Sequence, residues 1–463
     1  MRTLARPLFV LMILATLLAI ASCAAPTAPP APPPQVVQQT VVVPQTVAVP
    51  QTVAVPQTVV VPATPAPAKK VEVNWWHIST KDPGLTYWQK LADDYMATHP
   101  NVTIKITVLE NEAFKTKLTT VMQSGSPPDI FQSWGGGTMV EQAKAGLLKD
   151  ITANMDDAWK GSFAPGALAV YSYQGKQYGV PWDMGMVGWW YNKDLFAKAG
   201  IDKTPTTWTE FLAAVKKLKA AGITPIALGE KDSWTGMHIW SYLATRIGGQ
   251  AAFEAALNRK GSFADPPFVQ AGEKLKELIA LDPFQPGYLG ATHDEMQATF
   301  GNGKAAMELS GQWAPSVESA NAADKKGVAN LGMFNFPAVE GGAGAVTDVV
   351  GGGNGFAIGK NAPPEAIDFA KYLTTASAQS QMASLAMGIP VVKGSEVGLK
   401  DPNMVEVQKA FAAAKYFQLY YDQFLPSAVG DAINASVQTI FAGTATPQQA
   451  AQAIEDAAKK NMK

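Results

Sequence analysis

Val71-Glu72-Val73-Asn74-Trp75-Trp76-His77 opens the charged, tryptophan-bearing part of the chain, and the pattern that follows it decides the architecture. Apolar and polar residues alternate over 71–76, which predicts a strand. Leu85, Trp88, Leu91 and Tyr95 then recur at helical spacing. Val102, Ile104, Ile106 and Val108 return to period two, and Phe114, Leu118, Val121 and Met122 mark a second helix. A short strand over 129–133 and a helix over 137–147 extend the series. Successive strand-helix units imply an α/β fold with a mainly parallel sheet flanked by helices and ligands at the carboxyl ends of its strands. Adjacent strand residues face opposite ways, so Trp75 is expected in the core and Trp76 toward the ligand.

The loops after these strands carry Trp76-His77, Glu110-Asn111 and Trp134 followed by Gly135, Gly136 and Gly137. That mixture suits a sugar. The C–H face of a pyranose is apolar and stacks on an indole, while its hydroxyls need carboxylate and carboxamide partners. His77 joins the candidates through its place after the first strand. Past residue 180, Trp189-Trp190-Tyr191 forms an aromatic run in which alternation nominates Trp190 for the ligand side and Trp189 with Tyr191 for the core. Trp88 and Trp208, on or at the start of helices, are expected in the core.

Toward the amino terminus the composition changes. From Ala24 to Ala68 there is no charged residue, and Pro44, Pro50, Pro56 and Pro62 fall six apart in a repeated Pro-Gln-Thr-Val-Ala-Val unit. Proline at that density prevents a helix or a central strand, so 23–70 is expected to be an extended, disordered linker or stalk. Before it, Arg2 and Arg6 precede an apolar run from Leu8 to Ile20 that ends in Ala21 and Ser22, the pattern of a signal peptide over 1–22. The single cysteine of the chain, Cys23, follows immediately. Alone, it has no partner for an internal disulfide.

Beyond residue 70 lie all 12 tryptophans and only two arginines, Arg246 and Arg259. A formal net charge of −1 without a long basic run speaks against nucleic acid as a partner. Scarcity of the guanidinium fork lowers carboxylates and phosphates as ligands. The glycine run from Gly351 to Gly355 lacks the Lys-Ser/Thr of a phosphate loop. His77, His99, His238 and His293 lie too far apart for a metal-ligand spacing, so neither a metal nor a cofactor is expected.

Several segments in order carry a resemblance: Asn74-Trp75-Trp76-His77, the stretch from Gly125 to Phe131, Tyr178-Gly179-Val180-Pro181, the stretches from Tyr191 to Phe196, Thr206 to Phe211 and Phe300 to Met307, and Gly311-Gln312-Trp313. Together they resemble the family 1 extracellular solute-binding proteins of carbohydrate ABC importers, the family of maltose-binding proteins. Ile20-Ala21-Ser22-Cys23 likewise resembles a lipobox, which implies a lipidated Cys23 and anchorage to the outer face of the cytoplasmic membrane. The resemblance implies a periplasmic-binding-protein fold of two lobes whose hinge the chain crosses three times, near 178–181, at Phe336-Pro337 and near 388–392. One lobe would combine 71–180 with about 338–392, the other 181–337 with about 393–463.

It further implies a noncatalytic, monomeric receptor that closes on its sugar and presents it to ABC permease subunits. Asp183 resembles a hydroxyl-binding carboxylate, although a loop cap fits it equally. Asp232 and Trp234 combine a carboxylate and an indole in one loop, against a capping aspartate and a packed indole. Trp313 matches a tryptophan that stacks on sugar, Asn354 sits in a glycine-rich cleft floor, and Tyr421 with Asp422 matches the last contribution to the cleft. Two other classes stay open. A polyamine- or peptide-binding receptor of the same fold would use the carboxylates Glu110, Asp183, Asp232 and Asp422, and an anchored glycoside hydrolase would need two of them across a bond.

Overall fold

A computed structural model describes residues 69–164 and 166–462. The signal peptide, Cys23 and nearly all of the linker lie outside the described residues. The strand over Val71–His77 forms, pairs in parallel with Val102–Val108 and Ile130–Ser133, and makes the centre of the first lobe. Its sheet is completed by Gly355–Ile358 and Gly179–Pro181, in the order 102–108, 71–77, 130–133, 355–358, 179–181. Only Gly355–Ile358 runs against the others.

Alternation along 71–77 divides the core of this lobe in two. Trp75 is fully buried and meets Trp88, Phe356 and Phe369 edge-on at 5.6, 5.4 and 5.2 Å. Such pairings add about 0.5–1.5 kcal/mol to the burial of each ring. Trp88, Leu91 and Tyr95 bring the helix Gly84–Thr98 to that face, while Phe114, Leu118 and Met122 bring Asn111–Gln123 to the other.

The second lobe holds a sheet in the order Leu331–Phe334, Gly188–Asn192, Ala305–Ser310, Thr224–Ala227, again with one reversed strand, Gly188–Asn192. Trp189, Trp208, Phe211 and Phe336 stack within its core, and the Phe336 ring lies 4.7 Å from Tyr242. Both arginines serve packing. Arg246 is buried, and its guanidinium donates to the carbonyls of Phe336, Pro337, Val346 and Asp348. Arg259 pairs with Glu455.

Between the lobes a third sheet aligns Phe417–Leu419, Val349–Gly352 and Gly185–Met186. The chain passes from lobe to lobe beside it. The first passage, at Trp182, Asp183 and Met184, directly follows the expected stretch 178–181. The second lies at Gly353-Asn354, not at Phe336-Pro337, because Phe336 and Val339 belong to the second lobe's core. Proline marks an extended segment there, and extension alone does not say which lobe holds it. Val391 and Val392 stay with the first lobe, where Val392 bridges to Phe163 and Ala164 N donates to Val391 O at 2.7 Å, while Ile389 packs among residues of the second lobe. The third passage follows Val392, before the helix Pro402–Ala412.

Candidate functional site

A cleft opens between the lobes at the carboxyl ends of the first lobe's strands. From the first lobe come the loop 78–84, Glu110, Asn111, Lys115 and Trp134; Trp182 and Asn354 form the floor; the second lobe supplies Trp234, His238, His293, Trp313, Tyr420 and Asp422.

Each wall follows from local structure. Glu110 lies two residues past the strand Val102–Val108 in an extended conformation, and its carboxylate accepts from the backbone N–H groups of Glu112 and Ala113, capping the helix that carries Lys115. Trp134 follows the strand Ile130–Ser133 and rests against Phe114 at 6.0 Å. Trp234 starts the helical stretch Trp234–Leu257, which kinks at Gly249, so His238, four residues on, shares its face; their rings are 5.4 Å apart. Trp313 turns from the strand Ala305–Ser310 into the helix Ala314–Asn321 and lies 6.5 Å from Trp234 and 6.4 Å from Tyr420.

The second lobe's wall is therefore one continuous aromatic surface. Three of its polar atoms lack partners: Trp234 Nε1, His238 Nδ1 and Tyr420 Oη are buried and unbonded within the protein. Burial lowers His238 to about 3 and His293 to about 4, so both rings are neutral at physiological pH. Asp422 is pushed above the usual carboxylate range by burial, although Gln423 and Asn434 donate to its Oδ2 at 3.0 and 3.3 Å.

Across the cleft, Lys115 Nζ pairs with Glu112 at 2.9 Å and stands 5.6 Å from the Trp134 ring centre and 6.0 Å from that of Trp234. At the mouth, Lys81 of the first lobe meets Asp294 of the second at 2.5 Å and also donates to Asn321. The two lobes thus touch over the cleft.

The sequence model of the bacterial extracellular solute-binding protein family matches residues 79–380, more than half of the chain. This chain belongs to the bacterial extracellular solute-binding proteins. An uncharacterized ABC transporter extracellular-binding protein of Pyrococcus horikoshii is 27% identical over 424 residues, covering 86% of this chain and 90% of the relative. The multiple sugar-binding protein of Streptococcus mutans is 28% identical over 347 residues, 72% of this chain and 78% of its own. A solved structure from work on xylan utilization by Caldanaerobius polysaccharolyticus superposes with a TM-score of 0.79 at 32% identity, over 83% of this chain and 99% of that one. These solute-binding proteins are receptors, not enzymes, and the two-lobed architecture is theirs.

For this solute-binding protein the cleft gathers Glu110, Trp134, Trp234, Trp313, Asn354 and Asp422 from the residues nominated by sequence. Six others lie elsewhere. Trp76 packs on the face opposite Trp75, under Lys117 at 4.8 Å. His77 is buried beside Trp75 at 5.0 Å, held down to about 4 by burial. Trp190 is as buried as Trp189: its strand is covered on both faces, and its Nε1 donates to the carbonyls of Ser310 and Gly311. Tyr421 packs on Trp240 and Phe253 in the second lobe's core, and its neighbour Tyr420 takes the cleft position. Asp232 accepts from His293 N at 2.6 Å and so helps to start the helix His293–Gly301. Asp183 lies below the floor, fully buried.

Trp182, Lys115, His238, His293 and Tyr420 are among the contributors that sequence did not nominate. The i, i+4 spacing of Trp234 and His238 was a usable signal for one of them.

Proposed function

We propose that this protein captures a sugar or oligosaccharide in the interlobe cleft by hinge closure and delivers it to an ABC permease, from a position tethered to the membrane through lipidated Cys23. The observation that carries this reading is the aromatic surface of Trp234, Trp313 and Tyr420 facing Trp134, with buried unbonded polar atoms set among the rings. Ring faces suit the apolar side of a pyranose, and polar atoms without partners in the protein favour a ligand that carries hydroxyls. Binding then shifts the lobes toward the closed form.

Lys115 weighs against a polyamine, since an ammonium group of the protein already occupies the space beside the two indoles. The cleft carboxylates weigh against a hydrolase: Glu110 is engaged by backbone N–H groups, Asp294 by Lys81 and Asp422 by two amides.

A thermal-shift screen of mono- and oligosaccharides, begun with xylo-oligosaccharides, is the test, because a tight ligand raises stability by mass action. A shift with spermidine and none with any sugar would sink the sugar reading. The anchor is checked separately: wild-type protein should take up a fatty-acid label and sediment with membranes, and Cys23→Ala should do neither.

A further inference from the structure

Asp183 lies fully buried beneath the cleft, where three separate parts of the chain converge. It belongs to the first passage between the lobes. Its Oδ1 accepts from the backbone N–H and the Nδ2 of Asn354, on the second passage, at 2.6 and 2.9 Å. Its Oδ2 accepts from Gln312 Nε2 at 2.9 Å, in the turn that follows the second lobe's strand Ala305–Ser310. Asn354 Oδ1 in turn accepts from Gln132 Nε2 at 2.9 Å, at the end of the first lobe's strand Ile130–Ser133.

Each partner stands next to the cleft. Gln312 precedes Trp313, Gln132 is two residues before Trp134, and Asn354 is itself on the floor. The fit is close: a Cβ added to Gly388 would stand 2.5 Å from Asp183 Oδ2, and one added to Gly185 would stand 2.6 Å from Gln312. All donors to Asp183 are neutral amides. The titratable groups that feel its charge are the phenols of Tyr171 and Tyr420, both held well above their ordinary range, and no cation contributes to its surroundings.

We propose that Asp183, which never meets the ligand, is the positioning residue that clasps the two walls of the cleft together, and that it does so only as a carboxylate. An ionised carboxyl accepts from all three donors at once. A protonated one carries an O–H that needs an acceptor of its own. The nearby Gln312 Oε1 is buried and unbonded, so protonation turns that amide from a donor to the clasp into an acceptor and breaks its present geometry. Burial pushes Asp183 up to about 7 against the pull of its hydrogen bonds, which brings the change into the physiological range.

The inference rests on the cleft being the ligand site, and two readouts separate it from the identity of the ligand. The first is small-angle scattering of unliganded protein. Asp183→Asn places an amide where two donors already point, and Gln312→Ala removes the link to the second lobe without changing a charge. Both variants should show a larger radius of gyration than wild type at about pH 8, and wild type should expand as the pH falls through about 7. The second is titration calorimetry with whichever oligosaccharide the screen finds. Wild type should bind roughly tenfold more weakly at about pH 6 than at about pH 8.5. Both variants should bind roughly 10- to 100-fold more weakly than wild type and lose that pH dependence.

His77, His238 and His293, at about 4, 3 and 4, titrate below this window. Glu318, at about 8, is retained in every variant, so its contribution cancels in the comparison. If Asp183→Asn does not fold, the pH series of Gln312→Ala set against that of wild type decides. Unchanged dimensions and affinity in the variants, or a wild type indifferent to pH, overturn the proposal. Expansion without binding of any sugar upholds the clasp and refutes the sugar reading.

Discussion

The two walls of the cleft are built differently. The first lobe presents one indole, Trp134, with a helix cap and a lysine; the second presents two indoles, a tyrosine and two neutral histidines with unbonded donors among them. The first lobe's wall draws on the loop 78–84, Trp134 and the first turns of the helix Asn111–Gln123, whereas the second lobe adds the first turns of three helices, at Trp234, His293 and Ala314. On the proposed function this asymmetry carries an expectation: a ligand gains most of its stacking on the second lobe, and the first lobe closes over it with Trp134 and Lys115.

The sharpest way to break this comparison is to remove one ring at a time. Trp313→Ala or Trp234→Ala should each weaken oligosaccharide binding by about 1–3 kcal/mol in calorimetry, and Trp134→Ala by about 1 kcal/mol. An equal or greater loss at Trp134 would abolish the asymmetry.

Next in size is the pH dependence of stability, which also divides between the lobes. In the second lobe Glu318 is buried against Glu308 and raised by burial to about 8 from an ordinary 4.5. A carboxyl whose folded value is raised binds a proton more tightly when folded, so its contribution is full below the unfolded value and is lost as the pH rises toward 8. Urea melts should therefore show Glu318→Gln gaining about 1–3 kcal/mol over wild type between about pH 5 and about pH 8.5. A variant that tracks wild type at every pH would show that the pair carries no such load.

The smallest effect belongs to the mouth. Lys81 and Asp294 are about two-fifths exposed, so solvent screening leaves their pair worth at most about 0.5 kcal/mol. Lys81→Met should weaken binding by no more than about twofold at low salt and not at all at about 1 M. The exchange Lys81→Asp with Asp294→Lys should restore it; failure to do so would make these residues ligand contacts.

Much of the first lobe was readable because its strands and helices keep one clear period each: Val73 and Trp75 alternate into the core as Trp88, Leu91 and Tyr95 do at helical spacing. Alternation failed where a strand is covered on both faces. It can say that Trp189 and Trp190 point apart, not that a wet side exists, and helices and neighbouring strands bury both. Trp76 misled for the same reason, since the helix Asn111–Gln123 covers the face opposite Trp75. Tyr420 and Tyr421 show the converse: one residue of parity separates cleft from core, and a three-residue strand, Phe417–Leu419, is too short to set that parity from sequence.

By itself, then, the sequence determined the α/β class, the family, the richness of the site in indoles and the lack of guanidinium groups to spare for an anion, because period and composition are local quantities. Only the tertiary structure decided that the second crossing falls at Gly353-Asn354, that Tyr420 and His238 face the cleft, and that Asp183 lies beneath it as a clasp. Those depend on which segments distant in the chain come together, and a buried carboxylate becomes a cap, a ligand or a clasp according to the donors that the rest of the fold brings to it.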